Sequence, residues 1–203
     1  ADLPPSRPLS ILLNGPASFA GRKLGILSTD GADARLFKAL TKAVDAAGAV
    51  WELVAPKTGG ITLSDGTSVA GRHKIDGGPS VLFDAVALLP SDDGAALLAG
   101  DAAAKDFVSD AFAHCKFIAH STEAAPLFAA AGLADKLDEA CIALAKPGDV
   151  TAFLDACAAL RHWPREAGVD LDEKGGTKEA AETSASRKAV SAPAAKPATK
   201  PAR

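Results

Sequence analysis

The chain has 203 residues, 48% of them hydrophobic and 23% charged, with a net charge of -3 at pH 7. That is enough for one domain of roughly 150 residues with a real core plus extra material at the ends. It excludes a disordered acidic chain and a nucleic-acid binder that is basic throughout. A chain that opens on Ala1 and holds no Met and no Tyr is expected to be a processed product or a piece of a longer polypeptide.

Residues 1–20 carry Pro4, Pro5, Pro8 and Pro16 around one short apolar run, Ile11 to Leu13, and are expected to form an extended leader or linker. Residues 23–29, with Leu24, Ile26 and Leu27, end in Asp30-Gly31, the pattern of a buried strand and a tight turn. Asp33 is placed to cap a helix carrying Leu36, Leu40, Val44 and Ala47, with Gly48 as its stop. Val50 to Val54 predicts a second strand, and Asp65-Gly66 between two alternating arms, Ile61 to Val69, predicts a hairpin.

Phe83 to Leu89 is the next expected strand, stopped by Pro90 and the polar Ser91-Asp92-Asp93. A helix is expected from about Ala102 to Ala113, then a strand at Phe117 to Ala119, a helix starting near Thr122, and a turn at Gly132. Cys141 to Leu144 reads as a strand, and Val150 to Arg161 as a last helix with Val150, Phe153, Leu154, Cys157 and Leu160 on one face. Strands alternating with helices predict a three-layer, mostly parallel, flavodoxin-like α/β sheet with helices on both faces and one hairpin insertion, over residues 21–165. Residues 166–203, rich in Ala, Ser, Thr, Lys and Pro, are expected to be a disordered tail. Its end, with Arg187, Lys188, Lys196, Lys200 and Arg203 and no acid, suits at most weak, salt-sensitive contact with nucleic acid or an acidic partner.

The stretch from Lys116 to Glu123 is where such a sheet does chemistry, because a strand runs straight into a helix at the carboxyl edge. His120 is expected at its tip, with Ser121 or Thr122 capping the helix and Glu123 against the helix dipole. A Ser121 nucleophile lacks the flanking glycines of Gly-x-Ser-x-Gly. Cys115 lies at the entry end of the strand with His114 pointing to the other face, and Cys141 and Cys157 read as core. Three cysteines without Cys-x-x-Cys, and His73, His114, His120 and His162 without clustered spacing, indicate neither a disulfide framework nor a metal site. The turn at Asp30 to Asp33 has no Gly-x-Gly-x-x-Gly, and its carboxylates compete with an anion. No apolar run reaches the roughly 18 residues of a membrane span, and the expected location is the cytoplasm.

Gly21 to Asp33, then Pro79-Ser-Val-Leu-Phe-Asp-Ala-Val86, then the elbow and the ending Phe153 to Trp163 resemble the C-terminal flavodoxin-like domain of large-subunit monofunctional catalases. The resemblance covers about Pro5 to Arg165. It extends to the superfamily of class I glutamine amidotransferases and DJ-type stress proteins, whose active members hold a Cys at the elbow and an acid near the first helix start. Those positions correspond to His120 and about Leu36, so the resemblance implies a degenerate site at His120, Ser121 and Glu123, without catalytic residues.

A chain without Tyr cannot supply the axial ligand of a catalase haem. No cofactor is expected here, and the haem is expected only in a catalase domain upstream. The implied function is a non-catalytic accessory domain that packs on that domain and supports stability and a homotetramer. The alternative is a free-standing stress protein of the same fold, a holdase for unfolded clients or a weak hydrolase at His120, Ser121 and Glu123.

Overall fold

The computed structural model describes residues 6–11 and 13–168. Strand β1 (Lys23–Ser28) leads through the Asp30-Gly31 turn into helix α1 (Ala34–Ala46), capped by the Asp33 carboxylate, which accepts the amides of Arg35 and Leu36. Strand β2 (Val50–Ala55) follows, then the hairpin of β3 (Ile61–Thr62) and β4 (Ser68–Val69), and a short strand β5 (His73–Lys74). Beyond it come β6 (Ala85–Leu89), helices α2 (Asp92–Gly100) and α3 (Ala102–Ala113), and strand β7 (Ile118–His120). A 3-10 turn, Thr122–Ala124, opens onto α4 (Ala125–Ala130), and β8 (Cys141–Ala143) and α5 (Asp149–Cys157) complete the regular elements.

Six strands form one sheet in the order β5-β2-β1-β6-β7-β8, every neighbouring pair parallel, while β3 and β4 pair only with each other. This is the expected flavodoxin-like α/β fold with its hairpin insertion. Alternation along each strand splits the core in two. Leu24 and Ile26 of β1, Ala87 of β6 and Ala119 of β7 face a cluster with Phe37 and Leu40 of α1 and Phe153 of α5. Leu27, Val86, Leu88 and Ile118 face the other cluster, with Phe107 of α3 and Phe128 of α4. Strands buried on both faces explain why their sequences are continuous apolar runs.

Several expectations need correction. Strand β6 ends at Leu89 as expected, but Ser91-Asp92-Asp93 opens a helix that was not expected: Ser91 caps α2, whose first turn holds both aspartates. The last helix stops at Cys157 rather than Arg161, and Leu160, expected on its inner face, takes a φ of 67° in the turn beyond. The leader is not simply extended, since Arg7–Leu9 makes a 3-10 turn whose carbonyls the Asn14 amide ties together. Phe19, within the expected leader, is a core residue. At the other end a 3-10 helix, Trp163–Gly168, continues past the expected edge at residue 165. The expected tail otherwise falls on residues 169–203, outside the described residues.

Candidate functional site

The carboxyl ends of β1, β6 and β7 open into a cleft of ≈ 1240 Å³, walled by the start of α1, the β3-β4 hairpin and the start of α2. Its placement follows from topology, because parallel strands bring all their carboxyl ends, and the following helix N-termini, to one edge. At the base, Ser28 donates to the Leu89 carbonyl at 2.6 Å, joining the ends of β1 and β6. Thr29 Oγ1 accepts the Ser91 amide at 2.9 Å, while Ser91 Oγ donates to the Asp30 carbonyl at 2.7 Å and accepts the Gly94 amide. These bonds fix the α2 N-terminus against the β1 turn. Gly94 is required there, because a Cβ at that position would overlap the Thr29 side chain.

Asp30 accepts Lys57 Nζ and the Thr62 amide, both at 2.8 Å, which binds the hairpin to the turn. These bonds, the Lys57 one foremost, hold its carboxyl below the ordinary value. Gly31, with φ 82°, makes the turn that brings α1 round, and Ser64 of the hairpin accepts the Ala34 amide. Asp65 pairs with Lys38 at 2.5 Å, so the hairpin is anchored to both the β1 turn and α1.

The expected elbow residues separate. His120 is the last residue of β7 and lies on the Ile118 side, its ring edge-on to Phe128 with centroids 5.1 Å apart. Its Nδ1 donates to the Ser121 carbonyl at 3.2 Å. Burial pushes the imidazole below its ordinary value, opposed by hydrogen bonds to the backbone of Ser121 and Cys141. The cleft is lined instead by Ser121 and Glu123. The residue at the mouth of the strand is therefore Ser121, one place beyond the expected tip, and the one-residue offset puts the two side chains on opposite faces.

Ser121 is 5% exposed, and its Oγ has no hydrogen-bond partner, so it does not cap the helix as expected. A nucleophile elbow holds its residue on a sharp, strained turn beside a base. Ser121 has φ -79° and ψ 166°, ordinary extended backbone, and His120 is bonded to its carbonyl rather than its hydroxyl. Cys115 sits at the opposite end of β7, buried, with its thiol pushed up by desolvation. The arrangement is thus a recess lined by more apolar than polar surface, with an acidic rim, and no nucleophile–base contact is found among the described residues.

The cleft residues that sequence reasoning passed over are Thr29, Ser91, Asp92 and Asp93. The signal was present in Ser91 followed by two acids, the usual opening of a helix.

The model of the C-terminal domain found in long catalases matches residues 20–167. The chain belongs to this family. It is 52% identical over 170 residues to Catalase C of Rhizobium meliloti (strain 1021), covering 84% of this chain and 24% of that protein. It is 32% identical over 140 residues to a Catalase HPII of Mycobacterium avium, covering 67% of this chain and 19% of that one. The chain therefore spans a quarter or less of the length of these long catalases. By fold the catalase C-terminal domain is similar to oxidized DJ-1 of Toxoplasma gondii, with TM-score 0.57, 16% identity, and 73% of this chain and 96% of that chain covered. Drosophila melanogaster DJ-1beta matches with the same TM-score at 15% identity, over 73% of this chain and 95% of that one. Among the described residues no helix is long and apolar enough to cross a membrane.

Proposed function

We propose that this domain is a non-catalytic accessory part of a hydrogen-peroxide-dismutating long catalase, supporting the stability and tetrameric assembly of the whole enzyme in the cytoplasm. The observation that carries the proposal is the family match over 20–167, which takes in every strand and α-helix of the sheet domain, in a chain whose match covers 24% of its relative. That the chain has no Tyr to ligate a haem iron supports assigning the haem to another part of the parent.

Ahead of the sheet, Leu9, Ile11 and Leu13 are 82%, 63% and 63% exposed, and Val81 is 63% exposed. Apolar side chains left in water favour burial against another polypeptide, and the catalase domain is the partner we assign to them. Deleting this domain from the full-length enzyme is expected to speed thermal inactivation and shift the tetramer toward smaller species by light scattering. A truncated enzyme equally robust and still tetrameric would sink the proposal. An absorbance scan of the chain alone, mixed with haem, is expected to give no protein-bound Soret band.

The same exposed leader supports a second reading, a holdase that shields unfolded clients. Aggregation of a heat-labile client, followed by light scattering with and without the chain, decides it: no suppression removes the holdase.

A further inference from the structure

The cleft carries more negative charge than its own cations offset. Asp30 pairs with Lys57 and Asp65 with Lys38, and Asp33 lies 3.6 Å from Arg35. Asp92, Asp93 and Glu123 also line the cleft, and among the described residues none of the three has an ion-pair partner. The half charge at the α2 N-terminus offsets only part of two adjacent carboxylates. At the base stands Ser121, 5% exposed, with a hydroxyl that no described group bonds. By strand alternation its side chain shares the Ala119 face, the side of the sheet on which α1 begins the cleft wall.

These features choose among ligand classes. An anion meets three unpaired carboxylates, and a purely apolar molecule would leave the Ser121 hydroxyl buried and unbonded. A single metal ion needs its ligands gathered at one point, and no group of three or more His, Cys, Asp or Glu is so gathered among the described residues. Carboxylates that are not gathered around one point, with the half-exposed Leu97 in the same lining, suit a flexible molecule whose positive charges are spread out and joined by hydrocarbon.

We propose that the cleft binds an aliphatic polyamine, its ammonium groups against Asp92, Asp93 and Glu123, an amine hydrogen-bonded to Ser121 Oγ, and its methylene segments over Leu97. The site is separate from the accessory role and stands whether or not that role holds.

The probe is spermidine, titrated into the full 203-residue chain by calorimetry at low and at physiological salt. Saturable binding that weakens with salt is expected, since Asp92 and Asp93 are exposed and Glu123 is partly so. Glu123→Gln is expected to weaken it by roughly two- to five-fold and the Asp92→Asn/Asp93→Asn pair by about ten-fold, the range of exposed ion pairs. Ser121→Ala is expected to weaken it several-fold with the salt dependence unchanged. Asp155→Asn, an exposed acid on α5, leaves the affinity as it was. Absence of saturable binding overturns the proposal, as does a loss with Asp155→Asn equal to that of the cleft variants, which would mark diffuse counter-ion attraction. Should a variant unfold, the unaltered chain still decides: spermidine must shift the amide resonances of Gly31, Gly94 and Ser121, and shifts confined elsewhere refute the site.

Discussion

Lys116 is 2% exposed, and among the described residues its ammonium has no carboxylate partner; it donates instead to the carbonyls of Ser80 and Phe83 at 2.5 and 2.7 Å. Those bonds close the turn that precedes β6 onto the start of β7. Burial, with Arg161 nearby, lowers its pKa from 10.5 to about 8. Between those two values the unfolded chain binds the proton that the folded chain releases, so this residue's contribution to stability rises with pH from about 8 to 10.5. The full shift corresponds to about 3 kcal/mol. The thiols of Cys141 and Cys157, pushed up by desolvation, act in the opposite direction at high pH, so the comparison must isolate Lys116. Urea unfolding of the wild type and Lys116→Met is expected to diverge in favour of the wild type, by roughly 2–3 kcal/mol between pH 7 and 10. A difference that stays constant across that window would show that the ammonium is not destabilised by its site. The neighbouring residues show how finely the candidate site could be read from sequence. Strand and helix around Lys116 to Glu123 were legible from apolar runs, but which residue faces the cleft depends on the exact end of β7, and an error of one residue exchanges His120 for Ser121.

Among the elements, α2 shows what pattern reasoning passes over. Its sequence, Asp92 to Gly100, carries glycine at both Gly94 and Gly100 and is apolar around much of its circumference, so no helical stripe stands out. Only its cap announces it, and the cap is also what builds the cleft. By contrast α1 was legible because Asp33, an apolar stripe and Gly48 all agree. Gly94→Ala is expected to force α2 off Thr29 and cost about 1–3 kcal/mol by chemical denaturation, with amide shifts at Ser91 and Ser121. Ser91→Ala, which removes only hydrogen bonds, is expected to cost about 1 kcal/mol; equal effects from the two would argue against the steric account. The final 3-10 turn is held differently. Arg165, 6% exposed, makes two 2.7 Å bonds to the Asp138 carboxylate, donates to the carbonyls of Lys116 and Phe112, and lies 4.2 Å over the Phe112 ring. No period or motif announces that contact, since its partners are 27 to 53 residues away. Arg165→Ala is expected to destabilise the fold by about 3 kcal/mol, because it takes the cation from the half-buried Asp138 carboxylate and the side-chain donor from the Lys116 carbonyl.

Across the whole molecule, charge anchors the two edges of the sheet while its middle rests on apolar packing. Toward one edge, burial pushes the Glu52 carboxyl up, but hydrogen bonds from Lys23 and His73 outweigh it and hold the group below 4.5. That contact joins β2 to the edge strand β5. Toward the other edge, burial of Asp138 is likewise outweighed by Arg165, holding it below 3.8, and Asp138 also accepts the Ala140 amide just before β8. The middle strands β1 and β6 hold Leu24, Ile26, Leu27, Val86, Ala87 and Leu88 at no exposure at all. Both carboxylates therefore stabilise the fold fully above their unfolded values and lose that contribution as pH falls through their lower folded values. Acid should act on the edges before the centre, because sub-global opening begins where burial is least. Urea midpoints are expected to fall from about pH 5 to pH 3, and Glu52→Gln and Asp138→Asn each to flatten the slope by up to about 1.4 kcal/mol per pH unit, the limit for one proton. Over the same range, hydrogen exchange is expected to accelerate first in β5, in β8 and in the turn at Arg165, while the amides of β1 and β6 exchange only by global unfolding. Simultaneous loss of protection across all six strands would mean that the edge charges and the apolar centre form a single cooperative unit, and that the two anchors are not local.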